Sequence, residues 1–180
     1  MRTGKQTLYW DTAVWLAWLL DERCWPSGVL TGIQDVVVEV ESDKTILFTS
    51  TMTRTEIFQG ALTPVQKTKY AQLMRRSNVR EIAPDSRITD RASAIREFHN
   101  GRGVKVSTPD AIHLATAVIY RANEFHTMDG LQKGGSKKRK ILGLNGDVGG
   151  YPLVVVQPYP RNSPPAQLVS ITGPLFPKKP

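Results

Sequence analysis

Short apolar segments alternate along this chain with longer segments of helical periodicity, and this alternation constrains the fold more than any other feature. Five segments predict strands, at residues 6–10, 45–49, 78–82, 124–127 and 153–156. Chains of this kind fold around a mainly parallel sheet that is covered by helices on both faces. We therefore expect an α/β domain of three layers, α/β/α, over residues 1–157.

The segments between the strands predict helices at 12–20, 53–62, 63–77, 85–100 and 108–121. Most of them begin near a Thr or Asp that can cap the first turn, and two have proline just inside it. Residues 36–40 are rich in β-branched side chains and could form a strand. However, Val29, Ile33, Val36 and Val40 recur at helical spacing, so we predict a helix there.

Composition restricts the partners and the compartment. The 180 residues carry a formal net charge of +8 and a pI of about 9.8, which favours a polyanionic partner such as nucleic acid. The single cysteine, Cys24, excludes an internal disulfide and a cysteine zinc cluster, so we expect a cytoplasmic protein. The apolar run 13–20 is too short to cross a membrane and lacks a signal-peptide cleavage site.

Four carboxylates lie where such a fold places its ligand site. Asp11 and Asp129 each follow a predicted strand, and Glu56 and Asp110 lie near helix starts on the same side of the sheet. Ligands of open α/β sheets bind beyond the carboxyl ends of the strands. Because several carboxylates cannot crowd together without a counter-charge, we predict a site for Mg²⁺ or Mn²⁺.

Each acid, taken alone, also has an ordinary structural explanation. Asp110 could be an acid that the helix dipole stabilises in the first turn, and Glu56 could form a capping box with Thr53. Asp11 could simply end a strand, and Asp129 with Gly130 is a common turn pair. The order and neighbours of the four acids therefore carry more weight than any one of them.

That order resembles a known family. The motifs Tyr9-Trp10-Asp11-Thr12, Thr49-Ser50-Thr51 followed by Glu56, Thr-Pro-Asp-Ala-Ile-His-Leu-Ala at 108–115, and Phe125-His126-Thr127-Met128-Asp129 are similar to those of PIN-domain ribonucleases. They are most similar to VapC-type toxins of bacterial toxin–antitoxin pairs. The resemblance covers roughly residues 6–157, and the block at 108–115 is its most specific part.

The resemblance implies that RNA is cleaved by metal-activated water, with Asp11, Glu56, Asp110 and Asp129 holding one or two Mg²⁺ or Mn²⁺ ions. A cognate antitoxin and a homodimer are the protein partners that it implies. Thr12 and Thr127 could hydrogen-bond a ligand carboxylate or bound water, although Thr12 could instead cap a helix. Five cations are candidate RNA contacts: Arg54, Lys137, Lys138, Arg139 and Lys140.

Several features fall outside the family pattern or stay open. The segment 158–180 contains seven of the twelve prolines and is expected to be either extended or strapped onto a neighbouring surface. The basic run 137–140 is a solvated loop or an RNA-contacting arm. Trp15 and Trp18 are expected in the core, although an exposed pair would suggest a partner groove. His113 and His126 are interpreted as packed structural residues.

Two other functions compete with the nuclease interpretation. A receiver-like signalling domain also gathers acids and Mg²⁺ at strand ends, but it would require adjacent acids after the first strand and a lysine after the last. A PIN-like domain that binds RNA or protein without cutting would be favoured by a missing acid, and all four acids are present.

Overall fold

The computed structural model describes residues 4–21, 24–58, 62–130 and 141–165. The five strands are β1 (Gln6–Trp10), β2 (Thr45–Ser50), β3 (Val79–Ile82), β4 (Glu124–His126) and β5 (Val154–Val156). The six helices are α1 (Thr12–Leu20), α2 (Ser27–Glu41), α3 (Thr51–Phe58), α4 (Pro64–Met74), α5 (Ser86–Asn100) and α6 (Thr108–Ile119), and a short 3₁₀ helix covers Ile141–Leu144. The predicted α/β fold is confirmed.

All strand pairs are parallel, and the sheet order is β3-β2-β1-β4-β5. The chain moves outward from β1 to β2 and β3 and then returns to place β4 on the other side of β1. A receiver-like sheet has a different order, 2-1-3-4-5. The observed topology therefore excludes the receiver-like alternative.

The sheet separates two hydrophobic cores, which makes the fold three-layered. On one face Leu8 and Trp10 of β1 pack with buried residues of α1, α2 and α4. On the other face Tyr9 packs with Phe125 and with α5 and α6. Neighbouring residues of a strand point to opposite faces, so one five-residue strand contributes to both cores.

Two local predictions, for residues 36–40 and for the start of α3, can be compared with the structure. The ambiguous segment 36–40 is helical, as predicted, because its valines continue the buried stripe of α2 that includes Val29 and Ile33. Helix α3 begins at Thr51, two residues before the predicted start at Thr53. Thr53 is buried inside that helix and its hydroxyl bonds Thr49 Oγ1 at 2.7 Å, so the alternative in which Glu56 forms a capping box with Thr53 is wrong.

The tryptophans of α1 belong to the core, as expected. Trp15 is fully buried and Trp18 nearly so. Their rings meet edge to face, with centroids 5.8 Å apart, and Trp15 makes similar contacts with Trp10 and Tyr70. The pair therefore anchors α1 to the sheet and to α4, and the partner-groove alternative for it is wrong.

The first part of the proline-rich segment, residues 158–165, packs against the α2 side of the sheet; we call it the C-terminal strap. Its Tyr159 is buried. The backbone of Tyr159 lies so close to α2 that a Cβ on Gly32 would be 2.3 Å from its nitrogen. For these residues, the strapped alternative holds, and residues 166–180 lie outside the described part of the chain.

Candidate active site

The candidate site lies where the carboxyl ends of β1 and β4 meet. From β1 the chain leads to β2 on one side, while β4 lies on the other side, so the strand order reverses at this point. Such switch points leave a crevice beyond the strand ends. Asp11 directly follows β1, and Thr127 directly follows β4. The Asp11 N–H donates to the His126 carbonyl at 3.2 Å, which joins the two strand ends.

Asp11 is a buried carboxylate with two roles. Its Oδ1 accepts a hydrogen bond from the Val14 N–H at 3.1 Å and so caps α1. The alternative in which Thr12 caps α1 is therefore wrong. Burial raises the pKa of Asp11 to about 6; the Thr127 hydroxyl and the nearby His113 oppose the rise, and the Asp110 charge adds to it. The charge of Asp110 therefore makes a small repulsive contribution at Asp11.

Asp110 sits in the first turn of α6, half-buried at the same edge. Ser107 caps this helix by accepting from the Asp110 N–H at 3.2 Å, and its own hydroxyl donates to Asp110 Oδ2 at 2.5 Å. Pro109 suits the first turn, where no backbone donor is needed. Ser107 and Pro109 thus fix the backbone that carries Asp110, and Ser107 also holds one of its two carboxylate oxygens.

Glu56 lies one and a half turns into α3 and is held by two donors. The Thr12 hydroxyl donates to Glu56 Oε2, and His113 Nε2 lies 3.4 Å from the same oxygen. The hydrogen bond from His113 and, after it, the one from Thr12 lower the pKa of Glu56, while partial burial opposes them. Glu56 is therefore ionised and bridges α1 and α6.

Asp129 approaches the edge from the end of β4. Its N–H donates to Thr127 Oγ1 at 3.0 Å, and the Thr127 hydroxyl bonds Asp11. Thr127 therefore links Asp129 to Asp11, and it is fully buried. The carboxylate of Asp129 is partly engaged, since Oδ2 accepts from the Ile141 N–H at 3.1 Å.

The predicted site residues are thus brought to one edge, but not into one compact cluster. Within residues 4–21, 24–58, 62–130 and 141–165, no three His, Cys, Asp or Glu side chains are close enough to hold a metal ion as they stand. The charge of Asp110 acts on Asp11, Glu56 is hydrogen-bonded to Thr12 and His113, and the Asp129 N–H donates to Thr127 Oγ1.

The predicted RNA contacts divide into two groups. Arg54 forms a salt bridge with Glu81, which also accepts a hydrogen bond from the Tyr70 hydroxyl at 2.6 Å. The charge of Arg54 is thus paired with an acid of β3, although more than half of the Arg54 side chain is exposed. The run Lys137, Lys138, Arg139 and Lys140 lies outside the described residues.

Sequence reasoning missed two residues of this site, Tyr9 and His113. The Tyr9 hydroxyl lies 2.7 Å from His113 Nδ1, and both side chains are buried. Burial, with the nearby charge of Asp11, holds the pKa of Tyr9 well above its usual value, so the phenol stays protonated. The available signal was the spacing: His113 lies three residues after Asp110, on the same face of α6.

Comparison with known proteins agrees with this description. The family model of the PIN domain matches residues 8–133. The fold is similar to FitAcB from Neisseria gonorrhoeae, with a TM-score of 0.54 and 17% identity over 84% of this chain and 97% of that chain. It is also similar to VapBC2 from Rickettsia felis bound to a DNA fragment from their promoter, with a TM-score of 0.52 and 11% identity over 68% of this chain and 87% of that chain.

A search of the curated proteins gives no match. Within the described residues, none of the helices has the length and apolar character that crossing a membrane requires. The PIN model covers well over half of the sequence, including the strands that carry Asp11 and Asp129. The chain therefore belongs to the PIN domain family.

Proposed function

We propose that this protein is a metal-dependent endoribonuclease that acts as the toxin of a bacterial toxin–antitoxin pair. One observation carries the proposal: Asp11 is buried at the switch point of the sheet, where burial and, as a smaller contribution, repulsion from Asp110 disfavour its charged form. A divalent cation would offset that repulsion, and carboxylate oxygens are the ligands that Mg²⁺ and Mn²⁺ prefer.

The donor set fits such an ion in its chemistry. Asp11 and Asp110 would hold it directly, with Glu56 and Asp129 as further oxygen ligands, Asp129 through water. When bound, the ion would supply hydroxide from water at neutral pH and stabilise charge on the leaving oxygen of a phosphodiester. Thr127 would orient Asp11, and Thr12 would orient Glu56, because each hydroxyl already bonds that carboxylate.

The basic composition supports RNA as the substrate, since lysines and arginines supply most non-specific affinity for phosphates. Arg54 and the run 137–140 are the proposed contacts. Neutralising Lys137, Lys138, Arg139 and Lys140 together should weaken RNA binding and flatten its salt dependence, because fewer counterions are released. An unchanged slope of log binding constant against log salt would leave the run as a solvated loop.

The direct test is cleavage of a panel of structured RNAs by wild type and Asp110→Asn. EDTA should abolish cleavage, and Mg²⁺ or Mn²⁺ should restore it. Asp110→Asn should lose cleavage by a factor of about 100 or more, in the range seen when a charge-stabilising group is removed from an active site. Asp90→Asn is the matched control, because Asp90 is an exposed acid on α5. Full cleavage by Asp110→Asn would exclude this role for Asp110.

The toxin role is supported by the order of motifs that resembles VapC-type toxins. Expression of the wild type should arrest bacterial growth, and expression of Asp110→Asn should not. Co-expression with a small DNA-binding protein encoded beside this gene should restore growth if that protein is the antitoxin. Arrest by both variants would separate any toxicity from nuclease activity.

A second candidate is a PIN domain that binds RNA without cutting it. The observation that favours it is the engagement of Glu56 by Thr12 and His113 and of Asp129 by the Ile141 N–H, which leaves the four acids unassembled. Under this alternative, RNA binding survives EDTA, and no added metal produces cleavage. The same assay therefore distinguishes the two candidates.

A further inference from the structure

Three hydrogen-bonded side chains form a row that ends at the acidic edge: Tyr9, His113 and Glu56. They come from β1, α6 and α3, so the fold brings together residues that are 104 and 57 positions apart. Tyr9 is fully buried, and His113 is 3% exposed. A buried histidine that contacts a site carboxylate on one nitrogen and a tyrosine on the other has only a few ways to arrange its protons.

The chemistry of the partners decides that arrangement. An ionised carboxylate only accepts hydrogen bonds, so His113 Nε2 must carry a proton to bond Glu56. In a neutral imidazole, Nδ1 is then the acceptor, and the Tyr9 hydroxyl must be its donor. The distance of 2.7 Å between Tyr9 Oη and His113 Nδ1 is that of a hydrogen bond, in which Tyr9 is then the donor.

The arrangement also divides the two oxygens of Glu56. His113 and Thr12 both bond Oε2. Within the described part of the chain, Oε1 therefore remains for a further partner. The ring of Tyr9 is itself fixed, because it stacks on Phe125 with centroids 5.1 Å apart. Glu56 is thus held by the more deeply buried His113, and His113 is held by the fully buried Tyr9.

We propose that His113, fixed in one tautomer by Tyr9, is a positioning residue that turns Oε1 of Glu56 toward a bound divalent cation or its water. This inference rests on the proposed nuclease function. It adds to the four acids a residue, His113, that orients one of them. Groups that orient metal ligands commonly change metal affinity or activity about 10–100-fold when removed.

Three variants separate positioning from simple packing. His113→Leu removes the donor to Glu56, whereas His113→Gln keeps an N–H near the position of Nε2. Tyr9→Phe removes only the hydroxyl and keeps the ring on Phe125. The melting temperature of each variant establishes that it is folded before the other measurements are compared.

The readouts are ring ¹⁵N NMR of the metal-free protein, Mn²⁺ affinity, and kcat and KM for RNA. Wild-type His113 should have its proton on Nε2, and Tyr9→Phe should lose this single tautomer. His113→Leu should lower Mn²⁺ affinity and kcat about 10–100-fold with KM nearly unchanged, and His113→Gln should recover most of the loss.

Two results would overturn the inference: a proton on Nδ1 in the wild type, or His113→Leu and His113→Gln equally impaired in metal affinity. A failure of the proposed function looks different. A wild type that binds Mn²⁺ with these dependences but cuts no RNA overturns the nuclease role and supports the positioning role. A cutting wild type with unimpaired His113→Leu overturns the positioning role alone.

Discussion

Two buried carboxylates, Asp11 at the candidate site and Glu124 under the C-terminal strap, experience opposite electrostatic environments. Burial raises the pKa of Asp11 to about 6, and Asp110 adds a like charge. Burial also raises that of Glu124, but His126, Arg161 and Tyr159 overcome it and lower its pKa to about 2. The carboxylates follow and begin adjacent parallel strands, so burial in the same sheet does not explain the difference.

The difference lies in what surrounds each acid. Glu124 accepts four hydrogen bonds, from Gln6 Nε2 at 2.7 Å, His126 Nε2 at 2.8 Å, Tyr159 Oη at 2.9 Å and Arg161 Nη1 at 3.3 Å. Asp11 accepts from an N–H and a hydroxyl, and the charge of Asp110 repels it. A fully satisfied buried charge fixes structure, whereas a buried charge that lacks a cation is a candidate for binding one.

Arg161→Met should have the largest effect on stability, because it removes the cation that is paired with the buried Glu124. The Arg161 guanidinium contacts Glu39, Glu124, Tyr159 and Gln6, and its side chain is only 13% exposed. Removing one partner of a buried pair leaves an uncompensated charge and costs about 3–5 kcal/mol. Urea unfolding measures the loss.

Arg102→Met is the matched control for that experiment. Arg102 pairs with Asp147 at 2.8 Å, but both side chains are more than half exposed. Exposed pairs contribute about 0–1 kcal/mol. Equal losses for Arg161→Met and Arg102→Met would contradict a special role for the strap.

The pH dependence of stability should have opposite signs for the two acids. For Asp11, the folded pKa of about 6 exceeds the ordinary 3.8, so its contribution falls as pH rises through this interval. For Glu124, the folded pKa of about 2 lies below the ordinary 4.5, so its contribution is lost as pH falls through that interval. Each shift of about two units corresponds to roughly 3 kcal/mol.

Unfolding free energies of metal-free wild type, Asp11→Asn and Glu124→Gln at a series of pH values test this expectation. Asparagine can still cap α1, so Asp11→Asn removes only the charge. The unfolding free energy of this variant should rise relative to that of the wild type from about pH 4 to 6. Glu124→Gln should be less stable at pH 7 and approach the wild type near pH 2. Parallel profiles for the two variants would contradict the contrast.

Sequence alone was sufficient for the layers of the fold and for the general place of the site. Strand ends that carry Asp11 and Asp129 share an edge in any parallel sheet, and the valine spacing of α2 correctly favoured a helix. Local chemistry was less certain, because Asp and Thr both cap helices. In the structure Asp11 caps α1, and the hydroxyl of Thr12 instead donates to Glu56.

Long-range pairings could not be predicted in this way. His113 has the same local pattern as a packed core histidine, and only the fold shows that it meets Tyr9 and Glu56. The strap depends on Arg161, which reaches Gln6 across 155 positions of sequence. The spacing from Asp110 places His113 on the site face of α6 but does not identify its partners, and Arg161 has no local signal, because both pairings depend on how the helices pack on the sheet.

Gly32→Ala should destabilise the strap by an intermediate amount. A Cβ there would lie 2.3–2.5 Å from backbone atoms of Tyr159, which cannot move without disturbing the bonds to Glu124. Overpacking of this kind costs about 1–3 kcal/mol. At Gly28, also in α2, a Cβ would meet Pro160 at 3.9 Å, so Gly28→Ala should be neutral or stabilising by about 0.4–1 kcal/mol. Thermal unfolding of both variants tests this contrast.

Mg²⁺ should give the smallest effect and the sharpest contrast between the two regions. Ligand that binds only the folded state at ten times its Kd stabilises by about 1.4 kcal/mol. That gain should be present in the wild type and in Arg102→Met, and it should disappear in Asp11→Asn, which lacks one of the two repelling carboxylates. Glu124→Gln should keep it, because Glu124 already has its cation in Arg161. Thermal unfolding with and without Mg²⁺ at constant ionic strength is the measurement, since salt alone screens exposed pairs. If Asp11→Asn retains the Mg²⁺ stabilisation while Glu124→Gln loses it, the ion binds under the strap, and the assignment of the two regions is reversed.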